Sequence, residues 1–191
     1  MSHLGDVESA PARDGPRVVP DGGDGRTDRS DGEFPRPPFS FADDEGREVD
    51  IRVFDGDVDA LVEMYERLDP ADGAQGIPPR KPDRLRSWVE MLTETGLTLL
   101  AWHDGAAVGH AVLVPMDDRR WELAIFVRSD YQHAHVGTAL LGCLLGYGRD
   151  EGVETVWLSV EHHNEPALGL YESLGFERLS GQVEYKMERD L

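Results

Sequence analysis

Two short stretches of the sequence combine residue types that could bind an anion and move a proton. The first reads Gln-His-Ala-His-Val-Gly from Gln132 to Gly137 and leads into an apolar stretch with helical spacing. Backbone N–H groups in the first turn of a helix have no partner inside the helix and lie at the positive end of its dipole. Such a start can receive a phosphate or diphosphate, and Gly137 lets an anion approach the main chain. Because many α/β proteins contain this pattern, it is a weak indication by itself.

The second stretch places an amide and a phenol on one helix face. Asn164 can begin a helix as its cap, and Tyr171 follows seven residues later, two turns along the same face. A tyrosine hydroxyl there can give a proton to a leaving group. The alternative is a structural tyrosine, whose ring packs in the core and whose hydroxyl reaches the surface.

Hydrophobic periodicity predicts alternating strands and helices in residues 47–191. Apolar residues two apart predict strands near 49–53, 97–103, 107–114, 120–127, 153–160, 176–179 and 183–187. Apolar residues three and four apart predict helices near 57–68, 83–95, 137–149 and 164–174, although three glycines weaken the third helix. This order predicts one α/β domain, with a mixed sheet whose faces are covered by helices.

Residues 1–46 differ in composition from the rest of the chain. They contain clusters of Asp, Gly and Pro, and nothing repeats at the period of a helix or strand. Such a segment cannot bury enough apolar surface to offset its ordering entropy, so we predict a disordered acidic tail. Three of its phenylalanines could still dock on the domain: Phe34, Phe39 and Phe41.

Both chemical stretches resemble coenzyme motifs of the GCN5-related N-acetyltransferase (GNAT) superfamily. The first is similar to the acetyl-CoA-binding motif Gln/Arg-x-x-Gly-x-Gly/Ala, which Gln132 and Gly137 match, while His135 stands where the first glycine is expected. The second matches the motif Asn-x-x-Ala-x-x-Leu-Tyr-x-x-x-Gly-Phe at every defining position from Asn164 to Phe176. The resemblance covers residues 47–191 and implies a GNAT-type, mostly antiparallel sheet flanked by helices in a single domain.

The resemblance also implies that acetyl-CoA is the acetyl donor and that no metal is needed. The diphosphate would lie on the main-chain amides of His133, Ala134, His135, Val136, Gly137 and Thr138. The pantetheine arm would pair like an extra strand with the backbone of Phe126 and Val127 and form a hydrogen bond with the Asn164 side chain. Tyr171 would stand near the thioester sulfur and protonate the departing thiolate.

Acetyl transfer to an amine requires the amine to be neutral. A lysine-type amine, with a pKa of about 10.4, adds roughly 4.6 kcal/mol to the barrier at pH 7, whereas an α-amino group near pKa 8 adds only about one. The more basic acceptor therefore needs a general base or water relay, and Glu122, in the strand before the coenzyme loop, is the first candidate. Its alternative role is that of a solvated strand residue. A main-chain amide near Val127 would stabilise the oxyanion.

The predicted function is transfer of the acetyl group of acetyl-CoA to an amine by direct attack in a ternary complex. The contrasting hypothesis is a non-catalytic acyl-CoA-binding sensor or regulatory module. The imidazole of His135 could contact a phosphate, narrow the loop, or point to solvent while only its amide contributes. The long loop at 69–79 is a candidate for lining the acceptor site. The acceptor itself stays open among polyamines, amino acids, antibiotics, protein N-termini and protein lysines.

Composition sets the remaining expectations. The chain has 19 Lys and Arg against 38 Asp and Glu, a net charge of −19, and its basic residues are nearly all arginines. This acid excess argues against nucleic acid and membrane partners, and it predicts a salt-rich cytoplasm, where a Debye length of about 3 Å screens self-repulsion.

Because Cys143 is the only cysteine, a reducing setting is expected, with the thiol in the core. The pairs His133/His135 and His162/His163 have no Cys or carboxylate at a spacing that would complete a metal site. A homodimer is compatible with the resemblance.

Overall fold

A computed structural model describes residues 34–68, 78–79, 81–117, 119–179 and 184–191. The tail prediction for residues 1–33 and most of the predicted acceptor loop lie outside these ranges. The described residues form eight strands: β1 (Phe39–Ala42), β2 (Glu48–Val53), β3 (Leu97–His103), β4 (Ala106–Pro115), β5 (Arg120–Val127), β6 (Thr155–Glu161), β7 (Glu177–Leu179) and β8 (Glu184–Asp190). They also form four α-helices: α1 (Val58–Glu66), α2 (Pro82–Thr95), α3 (Val136–Asp150) and α4 (Glu165–Ser173).

The predicted α/β class and its mostly antiparallel sheet are confirmed. The strands lie in the order β1-β2-β3-β4-β5-β6-β8-β7, and only β5 and β6 run parallel to each other. Strands β3 and β5 have the predicted bounds. Helix α1 begins as expected at Asp57, whose carboxylate accepts a hydrogen bond from the Ala60 N–H at 2.9 Å. Caps and periodicity therefore located most elements correctly.

The parallel pair β5–β6 opens into a cleft. Its ladder covers only three residue pairs, from Arg120–Thr155 to Glu122–Trp157. Both strands continue beyond that point, and β5 stays paired with β4 as far as Val127. Because β6 no longer pairs with it there, the second half of β5 has one edge without a neighbouring strand. No neighbouring strand pairs with the main-chain groups on this edge in the described residues, so they can bind another extended chain; the Val127 carbonyl also accepts a hydrogen bond from the Gln132 side chain at 2.9 Å.

Two apolar clusters cover opposite faces of the sheet, and β5 contributes to both. Its residues Leu123, Ile125 and Val127 pack in the cluster beneath α3 and α4. Ala124 and Phe126 pack in the cluster formed with α1 and α2. Glu122 follows the same alternation and therefore shares the α1/α2 face with Ala124. The cleft between β5 and β6 is thus bordered on one face of the sheet by α3 and α4. Glu122 lies on the other face.

The folded part of the chain begins earlier than residue 47. Strand β1 lies inside the segment 1–46 and pairs antiparallel with β2, with Phe39 opposite Ile51 and Phe41 opposite Val49. The expected docking of the phenylalanines is confirmed, since Phe34, Phe39 and Phe41 pack against the larger core cluster. A four-residue strand in a Pro-rich segment has too short an alternation to be recognised, and it is stabilised by its pairing with β2.

The glycines that weakened the prediction of α3 are explained by packing. A Cβ at Gly146 would lie 2.3 Å from the carbonyl oxygen of Pro35, and one at Gly148 would lie 2.7 Å from Cδ1 of Leu113. Helix α3 therefore needs a small residue at Gly146, where the segment preceding β1 packs, and at Gly148, where α3 packs against β4. Neither α3 nor any other helix in the described ranges is long and apolar enough to cross a membrane.

Candidate active site

The free edge of β5 presents main-chain groups of alternate residues. The Arg128 N–H donates to the Val108 carbonyl at 3.0 Å, so the groups of Arg128 and, two residues earlier, Phe126 point toward β4. Those of Val127 and Ile125 consequently point into the cleft. The predicted pairing of a ligand with Val127 thus has the required geometry, whereas the main-chain groups of Phe126 face β4. The cleft edge presents the main-chain groups of Ile125 instead, which strand alternation could have indicated from the sequence.

Helix α3 begins at the wide end of this cleft with unpaired donors. Its cap, His135, makes no side-chain capping hydrogen bond, and the first turn contains no acidic residue. The first intrahelical bond runs from the Ala139 N–H to the His135 carbonyl at 3.0 Å. The N–H groups of Val136, Gly137 and Thr138 therefore have no partner within the helix and point outward at its positive end. This arrangement can receive an anion.

The loop before α3 contains two residues in left-handed conformation. His133 has φ +59° and His135 has φ +63°, with Ala134 buried between them. A glycine would adopt this conformation without steric cost, which explains why the motif has one where this chain has His135. The His135 imidazole contacts the turn between β1 and β2. Its Nδ1 lies 2.7 Å from an Asp44 carboxylate oxygen, and the side chain is 71% exposed.

Helix α4 packs against the same apolar cluster as α3 and carries two candidate site residues, Asn164 at its cap and Tyr171 within it. The Asn164 side-chain oxygen accepts a hydrogen bond from the Ala167 N–H at 3.2 Å, so it caps α4 as predicted. Its amide nitrogen retains two donors that the cap does not use. Tyr171 is buried, with its ring centroid 5.7 Å from that of Phe176. Burial raises the pKa of Tyr171 to about 12, so its hydroxyl is protonated at neutral pH.

Glu122 lies at the narrow end of the cleft. It forms the last parallel pair, with Trp157, and is half-buried on the α1/α2 face. Five residues of strand, about 17 Å, separate it from Val127 at the wide end. A ligand that extends from α3 along β5 would therefore bring its far end toward Glu122, while the Tyr171 side chain belongs to the opposite face.

A buried polar pair on the α1/α2 face was not found by sequence reasoning. The Tyr65 hydroxyl and the His110 Nδ1 are in hydrogen-bond contact, and His110 is completely buried against the Phe126 ring. No described residue pairs with its Nε2. Burial lowers the pKa of His110 to about 3, so the ring is neutral. The sequence feature that could have indicated this pair is the histidine at position 110, within the otherwise apolar sequence of β4.

The other reactive residue types have structural surroundings. Cys143 is buried in the core, as predicted, and burial raises the pKa of its thiol to about 12. A thiol that stays protonated is a poor nucleophile, so its role is packing. Within the described ranges, no group of three His, Cys, Asp or Glu residues is placed to hold a metal ion.

The sequence model of the acetyltransferase (GNAT) family matches residues 59–176. This chain belongs to the GNAT family. The resemblance inferred from the two motifs is thereby confirmed.

Individual GNAT proteins share both sequence and fold with it. An uncharacterized N-acetyltransferase of Mycobacterium tuberculosis is 31% identical over 134 residues, which cover 63% of this chain and 83% of the relative. The [Ribosomal protein bS18]-alanine N-acetyltransferase of Escherichia coli is 35% identical over 82 residues, covering 43% and 55%. The solved structure of a Salmonella typhimurium protein with its cofactor acetyl-CoA has a TM-score of 0.64 at 21% identity, covering 75% of this chain and 94% of that one.

Proposed function

We propose that this GNAT protein transfers the acetyl group of acetyl-CoA to an amine by direct attack in a ternary complex. The observation that carries the proposal is the cleft between β5 and β6, which has unpaired α3 amides at its wide end and Glu122 at its narrow end. A molecule with a diphosphate and a long amide-containing arm suits this arrangement. The acetyl-CoA-containing relative supports the choice of coenzyme.

In the proposed complex the diphosphate lies on the amides of the loop and first turn, from His133 to Thr138. The pantetheine arm pairs with the main-chain groups of Val127 and Ile125 and accepts a hydrogen bond from the Asn164 amide nitrogen. These contacts hold the thioester where β5 and β6 converge. The Ile125 N–H, which lies nearer the narrow end than that of Val127, then stabilises the oxyanion that forms on the thioester carbonyl.

The chemical step needs one base and one acid. The neutral amine attacks the thioester carbon, the carbon–sulfur bond breaks, and the sulfur leaves as a thiolate. Glu122, directly or through water, takes the proton that the amine loses. Tyr171 transfers its hydroxyl proton to the departing sulfur, so coenzyme A is released as a thiol, and the phenolate regains a proton from solvent; a hydroxyl that stays protonated at neutral pH is consistent with this role. We also place the enzyme in a salt-rich cytoplasm, in view of its charge of −19.

The test is release of free coenzyme A thiol from acetyl-CoA, with mass spectrometry of the acceptors. The panel contains polyamines, amino acids, aminoglycosides, a lysine peptide and a peptide with N-terminal alanine, each at about 0.1 and about 2 M KCl. We expect acceptor-dependent thiol release and an acetylated amine. Saturable binding without release would favour the sensor hypothesis, and absence of acetyl-CoA binding would contradict both.

A further inference from the structure

The hairpin between β1 and β2 touches the loop that leads into α3. We call residues 43–47 the hairpin turn and residues 128–135 the coenzyme loop. The two segments are more than 80 residues apart in sequence, yet Arg47 and Asp130 are in direct contact, as are Asp44 and His135. The hairpin turn therefore lies against the part of the molecule that presents the α3 amides.

Arg47 is the main link between the two segments. Its Nε donates to the carboxylate of Asp43 at 2.6 Å, and its Nη1 donates to the main-chain carbonyl of Asp130 at 2.7 Å. Its guanidinium carbon lies 4.1 Å from the centroid of the Tyr131 ring. Only 18% of the Arg47 side chain is exposed, and the Asp43 side chain is fully buried. A planar guanidinium can make these contacts together, which a lysine ammonium cannot.

Contacts with β3, β5 and the hairpin turn hold the rest of the coenzyme loop. The Tyr131 hydroxyl lies 2.8 Å from Nδ1 of His103 at the end of β3. The Gln132 side chain donates to the Val127 carbonyl at 2.9 Å, which ties the loop back to β5. Asp44 contacts the His135 imidazole at the last residue before α3. Hairpin contacts thus reach both the middle and the end of the loop.

This support matters because the loop is strained. Left-handed conformation at a non-glycine residue costs on the order of 1 kcal/mol or more, and it persists only where surrounding contacts enforce it. His133 and His135 both have this conformation. Without the hairpin contacts, the loop would relax and the α3 amides would lose their common orientation toward an anion.

We infer that the β1–β2 hairpin is a positioning element for coenzyme binding and that Arg47 is its principal positioning residue. The inference rests on the proposed coenzyme site. It assigns a role in cofactor affinity to a segment that contains none of the coenzyme motifs. Arg47 acts through the loop rather than on the reacting atoms, so its loss weakens coenzyme binding while leaving turnover at saturating acetyl-CoA unchanged.

The experiment measures the Kd of coenzyme A by calorimetry for wild type, Arg47→Lys and Arg52→Lys. Arg52 is the matched control, because it lies on the same hairpin but pairs with Asp50 on the surface. We expect Arg47→Lys to raise the Kd about tenfold and the control to leave it unchanged. In the acetylation assay the KM for acetyl-CoA should rise while kcat stays constant. Equal affinity in folded Arg47→Lys and wild type would overturn the inference.

A second variant decides the matter if Arg47→Lys does not fold. Asp44→Asn changes an exposed carboxylate and should raise the Kd about threefold in wild type, yet have no effect in a His135→Gly background. Equal effects in both backgrounds, or none in either, would overturn the inference. Wild-type protein that binds no coenzyme A would instead show that the proposed function itself is wrong.

Discussion

Helices α3 and α4 begin in opposite ways, although both cover the same face of the sheet. At the start of α4, Asn164 caps the Ala167 N–H, Pro166 has no N–H to satisfy, and Glu165 adds a negative charge. At the start of α3, three amides have no capping side chain and no acidic neighbour in the first turn. The first turn of α4 therefore has a hydrogen-bond acceptor for its donors and a negative charge at its positive end. The first turn of α3 has neither, so its N–H groups can bind a ligand. In our proposal, α3 therefore binds through its main chain and α4 acts through its side chains.

The largest expected effect comes from placing a carboxylate in the first turn of α3. Gly137→Glu should weaken coenzyme A binding at least about a hundredfold, because the new charge occupies the anion site and repels the diphosphate. The fold should persist, since a Cβ at Gly137 would meet Leu170 and Val127 at ordinary contact distances of 3.7 and 3.8 Å. Calorimetry measures the affinity and circular dichroism checks the fold.

Gly169→Glu is the matched control, because it adds the same charge to α4 at a position where a Cβ has no neighbour within 4 Å. It should bind coenzyme A like wild type. Equal weakening by both variants would mean that general charge repulsion, rather than the α3 amides, decides affinity.

Replacing Tyr171 tests the side-chain role of α4. Tyr171→Phe should lower kcat about a hundredfold while the Kd of coenzyme A stays unchanged, since only the proton donor is lost. With a pKa of about 12, Tyr171 stays protonated through pH 10, so the wild-type rate should show no alkaline fall from this group in that range. Unchanged turnover in Tyr171→Phe would leave the residue with a packing role.

The Nε2 of His110 is unpaired among the described residues but faces no proposed ligand, so we expect it to affect stability rather than binding. The folded pKa of about 3 lies below the ordinary value of 6.5 because burial disfavours the charged ring. The unfolded chain therefore binds the extra proton first. The free energy of unfolding should fall by about 3–5 kcal/mol as the pH drops from about 6.5 to about 3.

Denaturant unfolding across this pH range measures the effect. His110→Phe should remove the fall between about pH 6.5 and about pH 4.5, because carboxylates with lowered pKa values, among them Asp43 and Asp117, contribute only at lower pH. The control His163→Gln should keep that fall, because the His163 side chain is 83% exposed. If His110→Phe instead altered acceptor kinetics without changing the acid slope, His110 would belong to the site.

The smallest expected effects distinguish the capping role of Asn164 from its proposed role in binding coenzyme A. Asn164→Ala loses the cap and should lower the free energy of unfolding by about 1 kcal/mol, with coenzyme A binding a few-fold weaker. Asn164→Asp keeps a capping oxygen but loses the amide donors, so it should retain stability and lose affinity. Wild-type affinity in Asn164→Asp would assign Asn164 to capping alone.

The sequence predicted the elements whose signals are local. The strand at Arg120–Val127, the Asp57 cap and the Asn164 cap each depend on neighbouring residues, and all three were correct. The Asn-to-Phe motif likewise lies within one helix and its ends. Local signals were thus sufficient for the family and for the caps and strand that border the candidate site.

Features that depend on distant contacts were missed. Strand β1 exists because β2 pairs with it, and the Arg47–Tyr131 contact joins segments that no sequence period connects. The Tyr65–His110 pair similarly brings α1 onto β4. The glycines of α3 were judged unfavourable from propensity, while packing against Pro35 requires a small residue at Gly146. Tertiary packing decided each of these cases.

The most direct test follows backbone amide resonances while coenzyme A is titrated into the full chain. We expect the largest shifts at Val136, Gly137 and Thr138, and unchanged resonances at the Asp57-capped start of α1. Coenzyme A binding that leaves the three α3 amides unshifted would show that the diphosphate does not lie on them.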